Sequence, residues 1–160
     1  MLFDEQVYRF MFAALAEAEK ALEIDEVPIG AVVVHENKII GKGFNQTELL
    51  KDSAAHAEML AITAASNHLQ NKLLENCTLY VTAEPCLMCA GAILLSRIPI
   101  VYFGAHEPKF GAAGSIFNVL ESGKYNHSVK VYSGIYAQES QFMLKNFFEN
   151  KRIPNPDKQN

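Results

Sequence analysis

Between Phe3 and Leu22 the apolar residues return at steps of three and four: Phe3, Val7, Phe10, Met11, Ala14, Leu15, Ala18 and Leu22. That period is the stripe of an amphipathic helix, and Asp4 stands where a capping side chain belongs. Pro28 marks the end of the element. The pattern then changes. Residues 29–34 and 38–44 are rich in β-formers and flank the turn-like His35-Glu36-Asn37, which predicts a hairpin. A second helical stripe, Ala57, Leu60, Ala61, Ala64 and Ala65, predicts a helix over 54–67 with these small residues packed inward.

Further along, 78–83 alternates as a short strand, 86–95 reads as a helix and 100–103 as an apolar strand. Strand, helix, strand in this order implies a right-handed parallel crossover, and so an α/β sheet covered by helices. A short helix is expected after the Gly-rich segment 111–114, then a last strand at 129–132 and a C-terminal helix over 139–150. In that helix Phe142, Phe147 and Phe148 are expected mostly in the core. No repeat, low-complexity tract or linker divides the chain. The reading is one domain over 1–153, with a polar, proline-containing tail at 154–160 that is expected to fray.

Composition narrows this picture. A chain of 160 residues can bury a core without disulfides, and its three cysteines, an odd number that includes a C-x-x-C pair, suit a reducing compartment. Cys77 lies outside the pair and reads as an inert core or strand-edge residue. The acidic start and the lack of any apolar run of membrane-spanning length lead us to expect a soluble, cytoplasmic protein with no membrane association. With a formal net charge of −4 the chain has no global attraction for nucleic acid, so RNA binding requires a local basic surface.

The chemistry concentrates in His56-Ala57-Glu58 and Pro85-Cys86-Leu87-Met88-Cys89. One His and two Cys are three ligands of the kind zinc prefers, and three ligands leave a fourth tetrahedral position open. A spare carboxylate beside an open position suits hydrolysis better than a structural role. Residues two apart on a helix point roughly 200° away from each other, so His56 and Glu58 can share a site only at a helix entrance. We therefore expect His56 in the first turn of the 54–67 helix. Cys86 and Cys89 share a helical face, and Pro85 suits the first helical position, where no N–H is lost. A helix N-terminus and a cation both favour thiolates.

Other signals are weaker. Asn45, at a strand end, reads from spacing alone as a turn residue. Gly111-Ala112-Ala113-Gly114 lacks both the P-loop ending and the dinucleotide-binding spacing, and reads as a tight loop capped by Ser115. His35, His68, His106 and His127 have no ligand partner at a telling offset. Lys145, Lys151 and Arg152 fit a solvated helix face as well as an RNA surface.

H-x-E followed by P-C-x-x-C is the signature of the zinc nucleobase deaminases, whose role assignments come from that class of enzyme. Within it, the chain closely resembles the bacterial tRNA-specific adenosine deaminase family from about residue 7 to 152. The resemblance rests on V-P-I-G-A-V at 27–32, Asn45, His56-Ala57-Glu58, E-P-C-L-M-C-A-G-A at 84–92, S-R-I at 96–98 and K-F-G-A-A-G-S at 109–115.

The resemblance implies a cytidine-deaminase-like three-layer α/β/α sandwich with a five-stranded mixed sheet, working as a homodimer. It implies one zinc per chain on His56, Cys86 and Cys89, with Glu58 as proton shuttle. The implied reaction is hydrolysis of adenosine to inosine at the first anticodon position of a tRNA, with an arginine tRNA the expected substrate. Asn45 and the N–H of Ala57 are implied contacts to the flipped base, and Glu107 and Lys109 contacts to the anticodon loop. Phe148, Lys151 and Arg152 would complete the RNA surface, an aromatic face beside cations. Two positions depart from the family pattern: Glu107 replaces the usual Asp, and Ala83 a larger side chain. Two other readings stay open on the sequence alone, a deaminase of a free base or nucleotide and a non-catalytic zinc protein that binds RNA.

Overall fold

In the computed structural model, which describes residues 2–152, the first helix α1 spans Glu5–Glu23. Asp4 caps it as the sequence predicts, its side chain accepting from the Val7 N–H at 3.1 Å. The helix ends in a Schellman turn well before Pro28. Asp25 adopts a left-handed φ of 62°, its N–H donates to Leu22 O, and the Glu26 N–H donates to Ala21 O at 2.9 Å. Leu22, expected on the buried stripe, is 43% exposed, and its place in the last turn is taken by Ala21.

The predicted hairpin is present as β1 (Gly30–His35) and β2 (Lys38–Phe44), with an irregular register at Val33/Val34. A single-turn helix, α2 (Thr47–Leu50), follows, and then α3 (Ala57–Leu69). β3 (Cys77–Ala83), α4 (Leu87–Leu95) and β4 (Ile100–Ala105) form the predicted strand, helix, strand unit. β5 (Lys130–Ser133) and α5 (Ala137–Arg152) complete the chain. The expected short helix after 111–114 is absent; that stretch is a turn-rich loop with isolated bridges Cys86 to Gly111 and Ala113 to Asn118. The tail at 154–160 lies outside the described residues.

The sheet order is β2-β1-β3-β4-β5, with β1 antiparallel to both neighbours and β3, β4 and β5 parallel. It is the five-stranded mixed sheet that the resemblance implied. β1 is buried along nearly its whole length, as a strand covered on both faces must be. On one face Val32, Val34 and Tyr80 pack with Val7, Phe10, Met11 and Ala14 of α1. On the other, Ala31, Val33, Leu79 and Val81 pack with Ala57, Ala61 and Ala65 of α3 and with Ala90 and Ile93 of α4.

The alanine stripe lets α3 lie close against β2. At Gly43 a Cβ would stand 2.2 Å from the Ala57 carbonyl oxygen, and at Gly41 2.3 Å from that of Ala61. Gly43→Ala is therefore expected to cost about 3 kcal/mol, the upper end of overpacking penalties, in urea unfolding. A variant as stable as the parent would show that this close approach does not set the position of α3.

Candidate active site

Two helices and two strand ends converge on one cavity of about 480 Å³, a size suited to a small ligand. His56 is the N-cap of α3 with an extended backbone (φ −75°, ψ 154°), not a first-turn residue. Cys86 holds the same position at α4 (φ −75°, ψ 175°), so Pro85 precedes the cap and does not begin the helix. The reason is shared. An extended cap swings its side chain across the helix entrance, where the donors of the next residues also point. Cys89 follows within the first turn of α4 and is fully buried.

His56 Nδ1 lies 3.5 Å from Cys86 Sγ and 3.6 Å from Cys89 Sγ, and the three ligand atoms all fall within 4.8 Å of one another. Tetrahedral bonds of zinc length to one imidazole and one thiolate place N and S about 3.6 Å apart, which matches both separations. These three residues therefore fit a soft divalent metal. The set has three members and opens on the cavity, which His56, Cys86 and Glu58 all line.

Glu58 sits in the first turn of α3, where a carboxylate meets the positive end of the helix dipole, and is 4% exposed. Burial raises its pKa to about 7, and the His56 ring beside it acts in the opposite direction. The hydrogen bond to Cys89 is the main influence holding the Cys86 thiol down at about 4, while the same bond and burial push Cys89 up. His56 is raised, chiefly by its hydrogen bond to Cys86.

Around the ligands, Asn45 and Ala57 line the cavity, both buried, with Val27, Ile29, Ala83, Met88, Glu107 and Phe110. Asn45 donates from Nδ2 to Glu26 at 3.5 Å, and Glu26, 2% exposed, also accepts from the Leu49 N–H at 2.6 Å. Glu107 is half-buried, and its carboxylate accepts from the Lys109 N–H at 2.9 Å. Lys109 is exposed and lines a neighbouring apolar surface with Leu87, Met88, Phe110, Ile116 and Phe117, not the cavity itself.

The C-terminal helix stands apart from this wall. Phe148 (47% exposed) and Arg152 (exposed) do not line the cavity, and Lys151 is paired with Asp25. Of the three phenylalanines expected mostly in the core, only Phe147 is buried, and Phe142 is 67% exposed. Cys77 is buried, as expected, and its burial raises the thiol pKa.

Besides Glu17, which pairs with Lys20 on α1, two buried carboxylates carry no role in the sequence reading. Glu26 organises α2 and Asn45. Glu84, at the end of β3, accepts hydrogen bonds from the N–H groups of Glu107 (3.2 Å), Ala113 (3.1 Å) and Ser115 (3.1 Å), from the Ser115 hydroxyl and from His106 Nδ1 (3.2 Å). Ser115 thus closes its loop onto Glu84. Burial opposes the ionisation of Glu84, but these donors outweigh it and hold the pKa below the ordinary carboxylate value. No periodicity marks either residue; an acid directly before V-P or P-C, where an exposed position would end the element, is the only trace.

The chain matches the family model for MafB19-like deaminases over residues 5–152. It is 46% identical over 149 residues to a tRNA-specific adenosine deaminase of Streptococcus pyogenes, covering 93% of both chains. It is 48% identical over 143 residues to that of Aquifex aeolicus, covering 89% of this chain and 94% of the relative. A solved structure from a study of A-to-I editing by tRNA:A34 deaminases at the wobble position superposes with a TM-score of 0.82 at 44% identity, covering 85% of this chain and 99% of the other. With the three-ligand cluster, the buried glutamate and the five-stranded mixed sheet in agreement, the chain belongs to the tRNA-specific adenosine deaminase family.

Proposed function

We propose that this protein is a zinc-dependent deaminase that hydrolyses adenosine to inosine at the first anticodon position of a tRNA, releasing ammonia. The observation that carries the proposal is the His56, Cys86 and Cys89 triangle set beside buried Glu58 in one cavity, within a chain 46–48% identical to tRNA-specific adenosine deaminases. We assign one zinc per chain to that triangle, because two thiolates and an imidazole select a soft tetrahedral ion. When bound, zinc supplies Lewis-acid activation of water near neutral pH.

The chain's own residues do the rest. Glu58 accepts the proton that the attacking water gives up and delivers it to N1 of the base as C6 is attacked. It then takes the proton left on the new C6 hydroxyl and passes it to the departing amine, so that the carbonyl of inosine forms as ammonia leaves. Asn45 and the Ala57 N–H orient the flipped base, the latter as a first-turn donor with no carbonyl available within its helix. Glu107 and Lys109 meet the anticodon loop at the rim. Phe148 and Arg152, away from the cavity, are assigned to the flanking RNA. An arginine tRNA is the substrate we assign.

Residues 1–153 act as one domain in this reading, and two chains form a homodimer in the cytoplasm, where free thiols persist. Exposed Leu87, Leu95, Phe110, Ile116 and Phe117 support a dimer, since a lone chain would leave them in water. A monomer mass in light scattering at micromolar concentration would exclude it. No described helix is long and apolar enough to cross a membrane.

Substrate class is tested by offering the zinc-loaded protein an arginine tRNA with adenosine at its first anticodon position, alongside free adenosine, guanine and cytosine. Inosine in the tRNA alone is expected; turnover of a free base with indifference to tRNA would contradict the proposal.

Zinc loading should depend on pH with a definite sign. The apoprotein holds a proton on His56 up to a raised pKa and another on Cys89, and both leave when metal binds. Affinity therefore falls as pH falls through the raised His56 value. The loss is about tenfold per pH unit for each proton displaced. Competition titrations at pH 6 and pH 8 check this, and equal affinities at both would contradict the ligand assignment.

A further inference from the structure

The Glu84 side chain has no solvent exposure, yet among the described residues every hydrogen bond it accepts comes from one stretch, residues 106–115. That stretch carries Glu107 and Phe110 into the cavity and Lys109 onto the adjoining surface. Glu84 itself is fixed to the sheet, its N–H donating to Ala105 O at 2.8 Å, and it lies two positions before Cys86. The fit is tight on the loop side as well. A Cβ on Gly111 would lie 2.1 Å from Glu84 Oε2 and 2.5 Å from the Glu107 carbonyl oxygen.

We propose that Glu84 is a positioning residue for substrate, tying the 106–115 loop, which forms the cavity wall that meets RNA, to the strand end that leads into the metal ligands. The substrate in this statement rests on the tRNA deaminase reading; the tie itself rests on geometry alone. A carboxylate suits the site because each of its oxygens faces at least one backbone N–H, a group that can only donate, whereas the Ser115 hydroxyl and the His106 ring nitrogen can take either part. Oε1 takes His106 Nδ1, the Glu107 N–H and the Ser115 hydroxyl, and Oε2 takes the Ala113 and Ser115 N–H groups. An amide places its NH₂ against the Glu107 N–H in one orientation or the Ala113 and Ser115 N–H groups in the other, donor against donor. His56 and Cys89 are held by α3 and α4, and Cys86 by its N-cap position on α4, although its backbone also bridges to Gly111; loosening the side-chain tie alone should therefore affect substrate capture more than turnover.

In Glu84→Gln, KM for tRNA is expected to rise about tenfold or more while kcat falls less than about threefold and zinc stays at one per chain. Exchange of the Ala113 and Ser115 amide hydrogens should accelerate in the same variant, a readout that needs no substrate. Gly111→Ala, which crowds the carboxylate from the loop side, and Ser115→Ala, which removes one donor, should shift KM in the same direction. An unchanged KM in Glu84→Gln with zinc retained would overturn the proposal, as would a fall in kcat at constant KM. If Glu84→Gln does not fold, unchanged KM in both loop variants overturns it. Failure of the parent protein to deaminate tRNA would sink the substrate reading, and amide exchange would still decide the tie.

Discussion

Glu58→Ala is expected to lower kcat on tRNA by about 10³-fold or more, while zinc content and melting temperature stay near those of the parent. General acid and base catalysis by one positioned group contributes roughly 10²–10⁴-fold, and Glu58 is asked to move a proton both to the base and to the leaving amine. The upper part of that range is therefore the reasonable expectation. Stability should be spared, since truncation removes a 96%-buried carboxylate that costs the fold desolvation as well as contributing a favourable interaction with the α3 dipole. Glu58 contributes no atom to the three-ligand cluster, so metal content should hold. Single-turnover kinetics with metal analysis on the same sample separate the effects. Activity within tenfold of the parent would remove Glu58 as the proton carrier.

Cys86→Ala and Cys89→Ala should each abolish activity by a different route. One of three protein ligands is lost, and the two that remain cannot hold the ion against dialysis. Structural zinc sites bind with about 10–16 kcal/mol in all, so losing one thiolate should weaken affinity by about 10²-fold or more. The two variants differ in their effect on the fold. Cys89 is fully buried, whereas Cys86 is half-buried at the rim, so Cys89→Ala should also lose packing. Zinc per chain after dialysis and the unfolding midpoint distinguish the two variants. Retention of one zinc with activity in Cys86→Ala would contradict the ligand set.

The elements that were legible in the sequence were those whose burial writes itself into apolar spacing. The stripe of α1, the alternation before β3 and the apolar run of β4 each report the face turned to the core. Helix starts were less legible. His56 and Cys86 fall inside patterns that read as helical, yet both are extended caps, and it is that backbone which aims them at one point. α2 is four residues long and carries no stripe; it is held by the buried Glu26, and spacing cannot show a carboxylate turning inward. The helix expected after 111–114 does not form; the Ile116 and Phe117 N–H groups turn back to Gly111 O and the Val119 N–H to Ala112 O, which closes the stretch as a loop. In α5, Phe142 and Phe148 sit about 140° and 100° around the axis from buried Phe147, enough to leave both exposed.

The site divides in the same way. His56, Glu58, Cys86 and Cys89 form a compact motif whose chemistry dictates their proximity, and the structure brings all four to one cavity or its floor. Asn45 and Ala57 join them, although spacing alone gave Asn45 to a turn. Phe148 and Arg152 do not. Ala83, the small residue where the resemblance led us to expect a larger one, lines the cavity. Glu107, the other departure expected from the resemblance, accepts from the Lys109 N–H with one carboxylate oxygen.

The decisive measurement is position-resolved mass mapping of an arginine tRNA after incubation with the zinc-loaded protein, with the Glu58→Ala protein as control. A single adenosine-to-inosine change at the first anticodon nucleotide, absent with the variant, is the expected result. An unmodified anticodon, or inosine scattered among other adenosines of the tRNA, would contradict the assignment.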